Sequence, residues 1–378
     1  MTLNALFIFG TRPEAIKMAP IILAMKGIPA FNVKVCVTAQ HRHMLDQVLD
    51  LFEIVPDIDL DIMKSKQDLT DITTSILTNL KSILMERRPD MVLVHGDTTT
   101  TLAASLAAFY QKIPVAHVEA GLRTGDIYAP WPEEMNRSLV GKIASLHFAP
   151  TETAKTSLLK EGVSPEKIVV TGNTVIDALF EIIKKIEKNS SLRVNFDSQF
   201  NYLDPSKKLI VVTGHRRENF GHGFENICQA LASLSQRDDV QIVYPVHLNP
   251  AVQEPVQRIL RNKKNVFLIE PLDYLPFIYL MRRSYFLITD SGGVQEEAPS
   301  LGKPVLVMRD VTERPEAVIA GTVKLVGANY ESIISTANQL LDDRQMYTTM
   351  AKAINPYGDG LASSRIVQSI SEWAQAHV

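Results

Sequence analysis

Residues 117–137, HVEAGLRTGDIYAPWPEEMNR, gather four carboxylates, two arginines, two prolines and a tryptophan in one stretch. Glu119 closes an apolar strand and Asp126 falls mid-loop. Glu133 and Glu134 open a helix just after APWP, where Pro132 suits a first-turn position. Carboxylates crowded near an anionic ligand in a closed cleft bind protons more tightly than usual, so some serve as acids and others as bases near neutral pH. Arg123 and Arg137 are the counter-charges at hand, and the prolines stiffen the loop. The plainer alternative is that Glu133 and Glu134 only complement the helix dipole while the arginines form surface ion pairs.

Two turns read as phosphate sites. In FGTRPEAIKMAP, 9–20, Gly10 and the Thr-Arg-Pro after it form a tight turn behind a first strand. The helix that follows aims its N-terminal amides at a ligand crevice, with Arg12 and Lys17 in reach of a diphosphate. The stretch is not G-x-G-x-x-G, which counts against a freely exchanged NAD. In TDSGGVQEEA, 289–298, a strand ends at Asp290, and Ser291, Gly292 and Gly293 lack the bulk that would keep a phosphate from amides at a helix start. Glu296 and Glu297 lie one turn further, placed for one carboxylate to accept two ribose hydroxyls. A diphosphate beside a ribose acceptor spells nucleotide. Solvated surface turns and an acid-capped helix are the bland alternatives. HGDTTTT offers a single Asp97 before four threonines, which suits a hydrogen-bonding turn better than a metal cage. His41, His43, His95, His117, His215, His222 and His247 follow no H-x-x-x-H or H-E-x-x-H spacing, so no metal site is expected.

The elements that must position these groups follow from the apolar pattern. ALFIF, VKVCVT, MVLVHGD and IPVAHVEA alternate with helical patterns such as 69–87 and 99–110, and the alternation restarts at KLIVVTGH, 208–215. Fully apolar strands separated by helices indicate parallel sheets covered on both faces. A pseudo-repeat, VLVHGDTTTT to KIPVAHVEAG and FLITDSGGVQEEA to GKPVLVMRD, argues for two similar halves; VTAQHR (37–42) and VTGHRREN (212–219) echo one another in the same way. The expected fold is therefore α/β, with two doubly wound Rossmann-like domains facing a central cleft and ligands at the carboxyl ends of the strands. The domains are set at 1–172 and 173–360, with 184–208 as a polar, aperiodic linker candidate. By analogy with such architectures, the final amphipathic helix (361–378) crosses back onto the first domain.

At 378 residues, 46% hydrophobic and 21% charged, the chain reads as globular, and its net charge of −3 gives no electrostatic reason to expect nucleic acid or an anionic membrane as partner. Two cysteines, Cys36 and Cys228, supply no disulfide framework. The N-terminus looks like a first strand rather than a leader, and no apolar run reaches membrane-spanning length, so a cytoplasmic protein is expected.

Taken in order, GTRPEAIKMAP, TAQHRHMLDQ, VHGDTTTTLAASLAAFYQKIPVAHVEAGLRTGD, PWPEEMNR, GNTVIDAL, VTGHRREN, YPVHLNP, TDSGGVQEEAPSLGKPVLVMRDVTERPEA and NPYGDG resemble the non-hydrolysing UDP-N-acetylglucosamine 2-epimerases of bacteria over nearly the whole chain. The resemblance implies a glycosyltransferase-B-like fold, a homodimer, and reversible conversion of UDP-N-acetylglucosamine to UDP-N-acetylmannosamine with neither NAD nor metal, for surface-polysaccharide synthesis. It points to Asp97, Glu119, Glu133 and His215 as the catalytic set, with Asp97 or Glu119 removing the C2 proton and Glu133 serving the other face. Arg12, Lys17, Arg137, Ser291, Gly292, Gly293 and Arg314 are implied around the phosphates and sugar, Glu297 at the ribose, and Leu272 and Phe277 around uracil. An adjoining activating pocket would use Gln40, His41, Arg216 and His247, although His43 and Lys66 stand where the best-matching regulated pattern has Gln and Arg. The competitors are a UDP-sugar-dependent glycosyltransferase of the same fold, a hydrolysing epimerase and a non-catalytic nucleotide-sugar sensor.

Overall fold

The computed structural model describes residues 2–39, 42–64 and 66–377. Seven strands form the first sheet: β1 (Leu3–Phe9), β2 (Phe31–Val37), β3 (Ile58–Asp59), β4 (Met91–His95), β5 (Val115–Val118), β6 (Leu146–Ala149) and β7 (Ile168–Val170). Their order is β3-β2-β1-β4-β5-β6-β7. The second sheet comprises β8 (Lys208–Thr213), β9 (Val240–Pro245), β10 (Val266–Ile269), β11 (Phe286–Thr289), β12 (Val305–Val307) and β13 (Val323–Leu325), in the order β10-β9-β8-β11-β12-β13. Adjacent strands pair in parallel throughout. Each sheet thus reverses its winding beside its own first strand, between β1 and β4 and between β8 and β11, and such switch points are where doubly wound sheets bind ligands.

The central strands are buried along their length because helices cover both faces, which explains apolar runs without alternation. The helical patterns over 69–87 and 99–110 appear as the helices Leu69–Arg87 and Thr99–Tyr110, each with a side-chain cap, from Asp68 and Thr98. The pseudo-repeat is topological as well: β4, its helix and β5 occupy the places in the first sheet that β11, its helix and β12 occupy in the second. The other echo is not. VTAQHR follows β2, the second strand of its unit, whereas VTGHRREN follows β8, the first strand of its unit.

Residues 184–208 are not an irregular linker. They hold the end of the helix Thr174–Lys188 and the helix Ser190–Gln199, whose Asn189 cap accepts from the Leu192 amide. Along the helix Ser190–Gln199 only Phe196 is buried; it and Phe200, just beyond the helix, pack against Tyr279. A helix with so narrow an apolar stripe carries little periodic signal.

By packing, the chain forms two compact units, Met1–Ala178 with Tyr357–Val378, and Leu179–Pro356. The final helix, Ala362–His377, packs on the helix Arg12–Lys26, and its first amides, of Ala362 and Ser363, donate to the buried carboxylate of Asp177 at 3.2 and 2.8 Å. No described helix is long and apolar enough to cross a membrane.

Candidate active site

The turn after β1 is built around Glu14. Its Oε2 accepts the Gly10 and Thr11 amides at 3.0 and 2.8 Å, and its Oε1 accepts the hydroxyls of Thr98 and Thr101 at 2.8 and 3.2 Å. One buried carboxylate therefore ties the β1 turn to the β4 turn, and each of its oxygens is satisfied, as burial of a charge requires. Gly10 is obligatory for space: a Cβ there would lie 2.1 Å from Thr38 Oγ1 and 2.6 Å from Thr100 Oγ1. Arg12 opens the helix that Thr11 caps, and no ion-pair partner meets its side chain among the described residues.

Beyond β4 and β5 sit two carboxylates with opposite electrostatics. Glu119, in a left-handed conformation (φ 61°), accepts from Lys17 Nζ at 2.6 Å and Asn173 Nδ2 at 2.9 Å through Oε1, while His95 Nε2 lies 2.9 Å from Oε2. Burial alone would favour its protonated form, but the charges of Lys17 and His95 and the hydrogen bonds they donate hold its carboxyl well below the usual range. Asp97 has weaker help. Burial raises its pKa from 3.8 to about 6: Arg137, whose Nε stands 3.4 Å from Oδ2, opposes the rise, but the negative charges of Glu119 and Glu133 push the same way as burial. Two neighbouring carboxyl groups driven apart in this manner can divide the roles of fixed charge and proton carrier.

The backbone that presents Asp97 is held from two sides. His117 is fully buried, and burial drives its pKa down to about 3, so it is neutral and donates from Nε2 to the Gly96 carbonyl at 2.7 Å. Asn136 donates to the Asp97 carbonyl at 2.9 Å.

In the acidic loop the charges have separate tasks. Glu134, almost completely buried, accepts the Thr124 and Gly125 amides at 3.0 and 3.1 Å and lies 3.2 Å from Arg137 Nε, so it shapes the loop. Arg123 forms a two-pronged pair with Glu161, at 2.6 and 2.8 Å, and takes no place among the carboxylates of the strand ends. Asp126 accepts the Tyr128 amide at the surface. Glu133 is half-buried at the start of the helix Glu133–Ile143, for which Pro132 is the cap residue rather than the first turn.

In the second unit the turn after β8 is clamped by Asp290, which is completely buried and accepts the His215 and Arg216 amides at 2.8 Å each. The His215 ring stands 3.6 Å from the Asp290 carboxylate and stacks on His247, centroids 5.3 Å apart. Burial lowers the His215 pKa against the pull of Asp290, with His247 and Arg216 adding to the fall. Ser291 caps the helix Gly292–Ser300, and a Cβ on Gly292 would meet the Arg314 guanidinium at 2.5 Å. Arg314 is aimed at that helix start by Glu296, 2.7 Å from its Nε, and by Glu313. Glu297 accepts the Tyr274 hydroxyl at 2.5 Å. Phe277 is partly buried on the helix Tyr274–Arg283, with Leu272, also partly buried, just before it.

Each unit thus collects its share of the residues singled out in the sequence. Arg12, Lys17, Asp97, Glu119, Glu133 and Arg137 gather around the ends of β1, β4 and β5. His215, Arg216, His247, Ser291, Gly292, Gly293, Glu297 and Arg314 follow β8, β9, β11 and β12, with Leu272 and Phe277 after β10. Lys17 pairs with Glu119, a partner that its helical position did not announce. Arg216 Nη2 stands 3.9 Å from Glu313. Gln40 and His41 lie outside the described residues, as does the side chain of His43. Sequence reasoning missed Glu14, His95, His117, Asn173, Tyr274 and the clamping role of Asp290; their only signal was a polar residue inside an apolar run or beside a glycine turn.

Two parallel, doubly wound units with a carboxylate cluster on one and a basic, glycine-lined helix start on the other define a nucleotide-ligand α/β protein of the glycosyltransferase-B-like fold. The UDP-N-acetylglucosamine 2-epimerase family model matches residues 23–371. A UDP-N-acetylglucosamine 2-epimerase of Escherichia coli O157:H7 is 61% identical over 369 residues, covering 97% of this chain and 98% of that protein. Among solved structures, the UDP-GlcNAc 2-epimerase of Neisseria meningitidis bound to UDP-GlcNAc is 54% identical with a TM-score of 0.91, covering 98% of this chain and all of that one. The enzyme of Methanocaldococcus jannaschii, solved with UDP-GlcNAc and UDP, is 35% identical with a TM-score of 0.80 and the same coverage. The chain belongs to the UDP-N-acetylglucosamine 2-epimerase family.

Proposed function

We propose that the protein interconverts UDP-N-acetylglucosamine and UDP-N-acetylmannosamine by eliminating UDP and adding it back. The hydrogen at C2 has no adjacent carbonyl, so direct proton removal is slow. If the C1–O bond breaks as the proton leaves, the C2–H electron pair becomes the C1=C2 double bond and the C1–O pair departs with UDP. The retained 2-acetamidoglucal is then protonated at C2 on the opposite face, and UDP oxygen returns to C1. Residues of the second unit hold the nucleotide: Arg314 and the Ser291-Gly292-Gly293 turn at the diphosphate, Glu297 at the ribose, Leu272 and Phe277 at uracil. His215 counters charge growing on the leaving diphosphate. Arg12, Lys17 and Arg137 add positive charge.

The observation that carries proton transfer over group transfer is the unequal pair, with Asp97 raised to about 6 beside a Glu119 held ionised. It favours Asp97 as the group that takes and returns a proton on one face, with Glu133 on the other and Glu119 as the fixed negative charge that stabilises positive character at C1. Activation by a second substrate molecule near Arg216 and His247 belongs to the same reading. So does a cytoplasmic homodimer, supported by exposed Met85, Phe109, Tyr110 and Leu139 on three neighbouring helices of the first unit.

Incubation with UDP-N-acetylglucosamine alone in D₂O tests the proposal. Deuterium at C2 with UDP-N-acetylmannosamine as product is the expected result. Free N-acetylmannosamine would indicate the hydrolysing reaction, and a sugar that stays inert until an acceptor is supplied would indicate a glycosyltransferase.

A further inference from the structure

The returning segment that begins at NPYGDG contributes no reacting group, yet it is built tightly against one side chain of the site. Gly172 (φ 87°) and Gly358 (φ 130°) pack backbone to backbone: a Cβ on Gly358 would lie 3.4 Å from Gly172 Cα and 3.5 Å from the Asn173 nitrogen. The Asn173 amide donates to the Tyr357 carbonyl at 2.7 Å. On one flank Arg365, paired with Asp359 at 2.7 and 2.8 Å, donates to the Thr171 carbonyl at 2.9 Å. On the other, Asp177 caps Ala362 and Ser363. The residue between these ties is Asn173, only 3% exposed, whose Oδ1 accepts the Val175 amide at 3.1 Å and whose Nδ2 therefore points to Glu119 Oε1 at 2.9 Å. The cap on Val175 decides which way the amide faces.

We propose that Asn173 is a positioning residue for Glu119, and that the Tyr357–Arg365 segment serves to present its amide to that carboxylate. The inference rests on the reading of Glu119 as the fixed negative charge of the reaction. The groups that face Glu119 are Lys17 from the helix Arg12–Lys26, His95 from β4 and the repelling Asp97. Asn173 is the neutral donor among them, which sets the carboxylate's rotation without adding charge. A carboxylate that turns away from the sugar loses its effect on the transition state more than on substrate binding.

Asn173→Asp is the informative variant: it keeps the oxygen that caps Val175 and replaces the donor with an oxygen facing Glu119. The kcat for epimerisation is expected to fall roughly 10- to 100-fold, as for a lost hydrogen bond to a charged group, with KM changed by less than about threefold. The acid limb of the pH–kcat profile moves to higher pH, because two facing carboxyl groups retain a proton. Melting is expected to fall at high pH and to recover towards wild type as pH is lowered, because the added buried carboxyl is tolerated only while the pair holds a proton; kcat is therefore compared well below the melting transition. Gly358→Ala lowers kcat in the same pattern by shifting Asn173. Independently of turnover, ¹³C titration of the Glu119 carboxyl, identified by its absence in Glu119→Gln, moves upward in Asn173→Asp. An unchanged titration midpoint overturns the proposal, as does a rate loss carried entirely by KM. A wild-type protein inert toward UDP-N-acetylglucosamine removes the epimerase reading instead, and the carboxyl titration still decides the positioning claim.

Discussion

Asp97→Asn should slow turnover sharply and stabilise the protein, the second effect only at higher pH. Burial raises the Asp97 pKa from 3.8 to about 6 in the folded chain. In the unfolded chain the carboxyl returns to its ordinary value, so between these two pH values the folded state binds the extra proton. Unfolding free energy therefore falls as pH rises through that window and is level above it. A rise of roughly two pH units corresponds to a cost of about 3 kcal/mol above pH 6, and relaxation of a side chain that is 29% exposed brings it to about 1.5–3 kcal/mol. Asparagine has the same shape and never bears the charge, so the variant recovers that amount at pH 8 and almost none at pH 4. For a unit of this size the gain is roughly 2–4 °C of melting temperature per kcal/mol. Removing a proton carrier should also slow C2 exchange by roughly 10²- to 10⁴-fold. Differential scanning calorimetry of both proteins from pH 4 to 8, with deuterium incorporation measured alongside, checks both effects. A stability difference that is the same at pH 4 and pH 8, or a variant less stable than wild type at pH 8, refutes the electrostatic account of Asp97.

Three further outcomes follow from the packing and ion pairs. Gly10→Ala places a methyl group where Thr38 and Thr100 touch, and is expected to cost about 1–3 kcal/mol in urea unfolding together with a loss of kcat, since the β1 turn must shift. Glu161→Gln breaks the two-pronged pair with Arg123; the hydrogen bonds and charge of Arg123 depress the Glu161 pKa, so the wild-type advantage, about 1–2 kcal/mol, is present at pH 7 and lost as pH falls through the depressed pKa, as melts at pH 7 and pH 3 would register. Tyr274→Phe removes the hydroxyl that fixes Glu297, and titration calorimetry with UDP should give a Kd raised about 3- to 10-fold.

The apolar runs of β1, β4, β8 and β11 were legible because strands buried on both faces leave no alternation to misread, and the helices Leu69–Arg87 and Thr99–Tyr110 because their caps and periods agree. The echo between VTAQHR and VTGHRREN misled because a short polar stretch after a strand looks alike wherever the strand sits in the sheet. The helix Ser190–Gln199 was hidden since it buries Phe196 alone along its length.

By itself the sequence determined the two-unit α/β plan, the turns that could hold phosphate, the family, and which carboxylates were candidates for proton transfer, all of which depend on residue type and local spacing. Only tertiary structure decided what each candidate is. Asp97 and Glu119 end neighbouring strands in similar turns, yet one is raised and the other held ionised because Lys17, 102 residues from Glu119, and His95 converge on it while Asp97 has Arg137 at a longer distance. Proton affinity in a buried site is set by which charges and donors are brought within a few ångströms, and that is a property of the folded chain.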